Sequence, residues 1–506
     1  MSLQSSAQKK IVSVGTEVLV HAGPSLARVK PIRRTMVHRI EASMLNGLKE
    51  GRSTSPYPPG VDDDRTKIGL ALVHTVERAL ANNHYSTPSL HCLFKVFIQK
   101  LVIEQGDGPV KDRFRAQRGG TPPTFLTISP SKACNLQCKG CYADSGPAPL
   151  KLDWAICDRM VTEAKTLWGA HFFAVSGGEP LAYRSDGKGI LELAEKHPDC
   201  LFIMYTNGTL IDHKLAMRLA RLGNLYPAIS LEGWEKRTDE RRGQGVFRKV
   251  MAAMSRLREA GVPFGVSLTA TRENAEEILS EDFIDFCFMQ QGALFGFTFQ
   301  YMPIGRSFTL DLMPTPQQRM WMWRRSWELI RERGIFMVDF WNHATLSQGC
   351  ISAGRDNGGG YLFVDWNGAI SPCVFMPYSP VNIKDIYAQG KTLNDALDVP
   401  FFADLRGWQR SYRHESGNWL APCPMRDHHA DLRRLLAMHE PDPTDANAQA
   451  ALLDADYAQG LAEYDAAYQT ISGAIWEKHY LRPGISSAGD IRPLPEIKGS
   501  GVSARV

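Results

Sequence analysis

With 506 residues, 43% of them hydrophobic and 22% charged, the chain has the composition of an ordinary globular protein, long enough for two to four domains. A net charge of +4 gives no sign of a nucleic-acid partner, and no apolar run reaches the roughly 20 residues that a membrane span needs. Ten cysteines in so long a chain do not form a disulfide framework, and Met1–Val20 lacks the apolar core of a secretory signal, so a reducing cytoplasm is expected.

The first forty residues are basic, with Lys9, Lys10, Arg28, Lys30, Arg33, Arg34 and Arg39. Such an arm suits a peripheral membrane contact on anionic lipid, an acidic peptide, or plain solvent. Lys67–Asn82 and Leu90–Ile103 carry apolar residues at helical spacing, which predicts a helical N-terminal region over 1–120 with Cys92 as a packing residue. Gly119-Gly120-Thr121-Pro122-Pro123 then breaks the pattern.

From Thr124 strand-like runs alternate with amphipathic segments. Phe125–Ser129, His171–Ser176, Leu201–Thr206, Ala228–Leu231, Phe264–Thr269 and Phe295–Tyr301 read as strands, and Trp154–Leu167, Lys214–Leu222, Val246–Ala260 and Asn274–Met289 as helices between them. Six such units predict a parallel α/β sheet with right-handed crossovers over 121–335. That is too short for the roughly 250 residues of a closed eight-unit barrel, so the curved sheet should stay open. Its chemistry belongs at the C-terminal ends of the strands.

The loop after the first strand holds Cys134, Cys138 and Cys141 in a C-x3-C-x2-C spacing. Three thiolates so close together each take one iron of a cubane cluster and leave the fourth iron open. A ferredoxin would need a fourth cysteine nearby, and a structural zinc site two ligand pairs. The loop after the second strand reads Ser176-Gly177-Gly178-Glu179-Pro180. The cysteine loop, the GGEP segment and the strand order together resemble the radical S-adenosylmethionine (radical SAM) superfamily over residues 124–430.

The resemblance implies a partial (β/α)6 TIM-like barrel, a 4Fe–4S cluster on Cys134, Cys138 and Cys141, and S-adenosyl-L-methionine chelated at its open iron. It implies that Gly177, Gly178 and Glu179 meet the cofactor's amino group, that Ser230 and Glu232 reach its ribose or carboxylate, and that Tyr142 seats the adenine. Ser267 and Thr269, by position alone, read as cofactor contacts or as strand-end caps. Arg242 and Arg272 both suit the cofactor carboxylate, which a guanidinium pairs bidentately.

Gln300–Arg306 should open toward the substrate side. Thr315-Pro316-Gln317-Gln318 starts a long helix whose Trp321, Trp323 and Trp327 read as core. Over 336–440, Tyr361–Asp365 and Ala369–Ser371 form a hairpin turning at Asn367-Gly368, bracketed by Cys350, Cys373 and Cys423. This region resembles the small α+β extension called SPASM, or its shorter twitch form, which holds auxiliary iron–sulfur clusters. It has fewer cysteines than that family's usual complement, so one auxiliary cluster is implied, near the barrel mouth. Its fourth iron takes Asp427, His428 or a distant cysteine, or stays open to substrate. Cys157, Cys200 and Cys287 read as packing residues. Residues 441–506 read as a helical tail, Ala446–Tyr480, with a mobile Gly-, Ser- and Pro-rich end.

The function implied is that of a radical SAM oxidoreductase, which cleaves S-adenosylmethionine reductively to a 5′-deoxyadenosyl radical and takes hydrogen from an unactivated C–H bond of a peptide, protein or natural product. Two readings stand beside it: an enzyme acting on a lipid or other small metabolite, and a non-enzymatic electron-transfer or sensor protein, which has no use for a GGEP loop. An electron donor such as flavodoxin or ferredoxin is the expected partner.

Overall fold

The computed structural model describes residues 24–482, apart from 52–54, 56, 105, 356–358 and 416. Lys9, Lys10 and the Gly- and Ser-rich end after 482 lie outside the described residues. All six strand runs become strands: β1 (Phe125–Ile128), β2 (Phe172–Val175), β3 (Leu201–Thr206), β4 (Leu225–Leu231), β5 (Gly265–Ala270) and β6 (Phe295–Gln300). They pair in that order and all in parallel. Their residues are apolar on both faces because both faces are covered. In β3, Phe202 and Met204 join the core shared with the flanking helices, while Leu201 and Ile203 point the other way.

The sheet continues past both ends of this set. A short strand β7 (Met337–Asp339) adds in parallel to β6. At the opposite edge β8 (Tyr361–Val364) pairs in parallel with β1 and carries β9 (Ala369–Ser371) antiparallel beside it. The hairpin turns at the expected Asn367-Gly368, where the Asp365 carboxylate accepts the Asn367 and Ala369 N–H groups. The sequence reading ended the barrel at six strands and set this hairpin apart. The structure uses it to cover β1, whose edge would otherwise leave a row of backbone groups unpaired.

The N-terminal region comprises helices Lys30–Gly51, Pro59–Ala81, Thr87–Cys92 and Gly108–Arg118, with a π-helical stretch Leu93–Ile103 after the third. Leu93, Phe94 and Val96 pack on Leu201, Ile203, Tyr226, Ala228 and Phe295. Tyr205, Ser230 and Phe297 lie on the same faces of β3, β4 and β6, farther along each strand, and line the lumen. The N-terminal region therefore closes the lumen at the N-terminal ends of the strands. Cys92 lies buried in that packing.

The long helix Pro316–Arg333 begins with the expected reciprocal cap, Thr315 Oγ1 accepting the Gln318 N–H and Gln318 Oε1 accepting the Thr315 N–H. Trp323 and Trp327 are buried against Tyr468, Trp476 and Tyr480 of the tail, so these aromatics are core. The same helix supplies Arg319, which is fully buried with Asp427 (Nη2–Oδ2 2.9 Å), and Arg426 adds a second guanidinium (Nε–Oδ1 3.1 Å). Burial alone would raise the Asp427 carboxyl, yet Arg319 and Arg426 hold it well below the usual carboxylate range. Asp427→Asn strands two buried cations and should cost about 3–5 kcal/mol, read as a lower denaturation midpoint. Because the folded-state pKa is depressed, this contribution is complete above the ordinary carboxyl value of about 3.9 and is lost as pH falls below it.

Candidate active site

A cavity of about 440 Å³ occupies the lumen. Cys134, Cys138, Cys141, Tyr142, Gly177, Gly178 and Ser230 all face it, as do Ser267, Thr269 and Arg242. The structure thus brings together most of the cofactor residues expected at the strand ends.

Three clamps shape the cysteine loop. The first is the GGEP segment: Gly178 N–H donates to the Ser131 carbonyl and Glu179 N–H to the Ala133 carbonyl, both at 2.8 Å. A Cβ on Gly178 would run into the Ala133 carbonyl. The glycine is therefore needed for close approach to the cysteine loop itself, whereas the sequence reading assigned that approach to the cofactor. Gly177 N–H donates to the Tyr142 hydroxyl at 3.1 Å and holds that ring beside Cys141.

The second clamp comes from β3 and β4. Asn207 Nδ2 donates to Asn135 Oδ1 at 2.9 Å and lies 3.8 Å from Cys134 Sγ. Arg242 Nη1 lies 3.9 Å from Cys138 Sγ, and Lys139 N–H donates to the Arg241 carbonyl at 2.9 Å. The third comes from the loop after β6. Arg306 N–H donates to the Cys141 carbonyl (2.9 Å), its Nη1 to the Cys138 carbonyl (2.7 Å), its Nη2 to the Ser145 carbonyl and its Nε to Asp144 (3.1 Å). Gly305 has φ +73° and no space for a Cβ beside the Tyr142 carbonyl, and Asn447 of the tail holds the Gly305 carbonyl at 2.7 Å.

Arg306→Ala should speed loss of reconstituted iron to a chelator by about 10–100-fold, with partial rescue by Arg306→Lys. The denaturation midpoint of the iron-free chain should move little by comparison.

Two expected contacts differ from the sequence reading. Glu179 is buried and off the cavity wall; its carboxylate accepts from Thr206 Oγ1 (2.7 Å), Asn207 N (2.8 Å) and Leu181 N (3.1 Å). It anchors the end of β3 and, through it, Asn207. Glu232 is likewise off the wall, because Arg241 and Arg242 both close on its Oε1 at 2.6 Å. Of the two arginines proposed for the cofactor carboxylate, only Arg242 faces the lumen. Arg272 donates to the Met313 carbonyl instead.

Cys350, Cys373 and Cys423 line the same cavity. β9 runs antiparallel to β8, so it delivers Cys373 next to Tyr361, whose hydroxyl lies 2.9 Å from Cys373 Sγ. Tyr361 pairs with Phe125, the first residue of β1. Cys373 thus sits at the N-terminal end of the lumen, opposite the first cysteine loop, and not near the mouth as expected. The Tyr142 and Phe375 rings meet between the two ends with centroids 6.0 Å apart. Asp427 is committed to Arg319 and Arg426, and neither it nor His428, whose Nε2 lies 2.8 Å from the Ala421 carbonyl, lines the cavity that the three cysteines face. Cys157, Cys200 and Cys287 are buried among the barrel helices and off the cavity wall.

Both cysteine sets suit metal. None of the six is in a disulfide. Burial pushes the Cys134 thiol up to about 11 and Cys423 up to about 12, and raises Cys350 and Cys373 as well. Ionised Cys350 and Cys423 further oppose ionisation of Cys373. Thiolates crowded in that way need the compensating charge that a bound metal centre supplies.

The profile of the Radical SAM superfamily matches residues 128–283, from the end of β1 to the approach to β6. These residues form a radical SAM domain. As a radical SAM protein the chain is an S-adenosylmethionine-dependent 4Fe–4S enzyme. It is 26% identical over 294 residues to an AdoMet-dependent heme synthase of Methanosarcina barkeri, covering 52% of this chain and 80% of that one. It is 26% identical over 299 residues to the mycofactocin maturase MftC of Mycolicibacterium smegmatis, covering 57% and 74%. Among solved structures, SuiB of Streptococcus suis bound to S-adenosylmethionine superposes with a TM-score of 0.49 at 17% identity, covering 68% and 84%. No helix among the described residues is long and apolar enough to cross a membrane.

The sequence reading assigns no role in the site to Asn207 or Arg241, and places Arg306 in the segment that opens toward the substrate rather than on the cysteine loop. Asn207 directly follows β3, whereas Arg241 ends the helix Glu235–Arg242 after β4 and Arg306 lies six residues beyond β6, so only their place in the segments that follow strands could have signalled them.

Proposed function

We propose that this radical SAM enzyme is an oxidoreductase that takes hydrogen from an unactivated C–H bond of a peptide or protein and passes the following electron to an auxiliary cluster. The observation that carries this reading is one lumen with a cysteine triad at each end. Cys134, Cys138 and Cys141 hold the 4Fe–4S cluster, with S-adenosylmethionine reaching Gly177, Gly178, Ser230 and Arg242. Bound together, cluster and cofactor supply reductive cleavage of the cofactor and hydrogen-atom abstraction. Tyr142 is held by Gly177 to seat the adenine. Glu179 acts on the cofactor through β3 and Asn207.

Cys350, Cys373 and Cys423 hold the second cluster. A substrate that has lost a hydrogen atom must still lose an electron and a proton to become a closed-shell product, and an acceptor at the far end of the same lumen suits that need. A flavodoxin or ferredoxin supplies the first electron, in a reducing cytoplasm.

The name of the maturase relative supports a peptide substrate, and that of the heme synthase supports a second reading with a small metabolite. Incubating the reconstituted enzyme with deuterated cell-extract fractions tests the choice. Deuterium should reach 5′-deoxyadenosine from the peptide fraction. Label arriving only from the lipid or small-molecule fractions overturns the peptide assignment.

A further inference from the structure

We propose that the group admitted between the two triads is an uncharged aromatic or branched apolar one, and that Phe375 sets its size. This deepens the proposed function and rests on its placing substrate in that lumen. Phe375 stands at the centre of a cage, with ring centroids 6.0 Å from Tyr142, 5.8 Å from Phe299, 5.6 Å from Phe340 and 4.9 Å from Trp341. Tyr205 extends the cage beyond Phe299 at 5.5 Å.

The charged groups on the wall are already committed. The two cations among the described lining residues, Arg241 and Arg242, both close on Glu232. Asp339 accepts from Gln300 Nε2, Trp341 N, Asn342 N and Asn342 Nδ2, all at 2.9–3.1 Å, which fills both of its oxygens. His343 Nδ1 accepts the Asp339 N–H and its Nε2 lies 2.9 Å from Ser326 Oγ, so the ring is neutral and occupied.

A substrate carboxylate or phosphate entering beyond the cofactor would lose its water without gaining a counter-charge, because Arg241 is taken by Glu232 and Arg242 by Glu232 and the cofactor carboxylate, and it would stand between two sets of thiolates. An ammonium would find no open carboxylate. Either desolvation is costly, whereas an apolar ring gains contact with the cage.

The test uses the full chain, reconstituted anaerobically and saturated with S-adenosylhomocysteine, with binding of small ring probes measured by ligand-observed NMR. p-Cresol should bind at least tenfold more tightly than 4-methylbenzoate and 4-methylbenzylammonium. Phe375→Ala should favour 2-naphthol over p-cresol by at least tenfold relative to wild type, and the milder Phe375→Leu should shift the ratio the same way if the alanine variant folds poorly. A charged probe that binds as tightly as p-cresol, no binding by any probe, or an unchanged size preference in both variants overturns the proposal. Iron content and formation of 5′-deoxyadenosine by the wild type report separately on the function on which it rests.

Discussion

Replacing Cys134, Cys138 and Cys141 together with Ala will abolish formation of 5′-deoxyadenosine from S-adenosylmethionine and remove about four irons per chain. The expectation is this strong because the three thiols lie on one short loop and face one lumen, and the substitutions remove only the approaches of Asn207 and Arg242 to Cys134 and Cys138 Sγ while leaving the backbone clamps on that loop in place. Arg306 still holds the Cys138 and Cys141 carbonyls, and Glu179 N–H still holds Ala133. The variant should therefore keep its fold and its second iron site while losing cofactor cleavage completely. Product analysis under a low-potential reductant, with iron counted in parallel, checks both halves. Cleavage at the wild-type level in the triple variant would refute the cluster assignment.

The second large effect is expected at the opposite end. Wild type with two cubane clusters should hold about eight irons per chain, and the triple Ala variant of Cys350, Cys373 and Cys423 about four. This variant should still cleave S-adenosylmethionine slowly yet form no product, because hydrogen abstraction needs only the first triad while oxidation of the substrate needs an acceptor. Both sets are separated along the strands, so loss of one need not empty the other. Wild type with about four irons, or a variant with normal product yield, removes the auxiliary cluster from the reaction. Electron paramagnetic resonance of the reduced proteins should show two overlapping signals in wild type and one in each variant.

The chain by itself determined the parts of this protein whose physics is local. Strand runs such as Leu201–Thr206 need only a continuous apolar stretch bounded by turn residues, and all six lie where read, within a few residues at their ends. Cys134, Cys138 and Cys141 are close in sequence, so their convergence follows from a single loop. The reciprocal cap of Thr315 and Gln318 and the Asn367-Gly368 turn are likewise short-range.

Tertiary structure decided whatever depends on two distant segments meeting. β8 joins the free edge of β1 across nearly half of the chain, and the antiparallel return of β9 sends Cys373 to the N-terminal end of the lumen. The Asn367-Gly368 turn announces the reversal, but no spacing rule reports that β8 lies parallel to β1, and that pairing decides which end Cys373 reaches. Glu179 and Glu232 read alike as strand-end acids; only the fold shows that Thr206 and Asn207 claim the first and Arg241 and Arg242 the second. Asp427, offered by sequence as a ligand, is taken by Arg319 from a helix more than a hundred residues earlier, because a buried carboxylate is stable only beside buried positive charge.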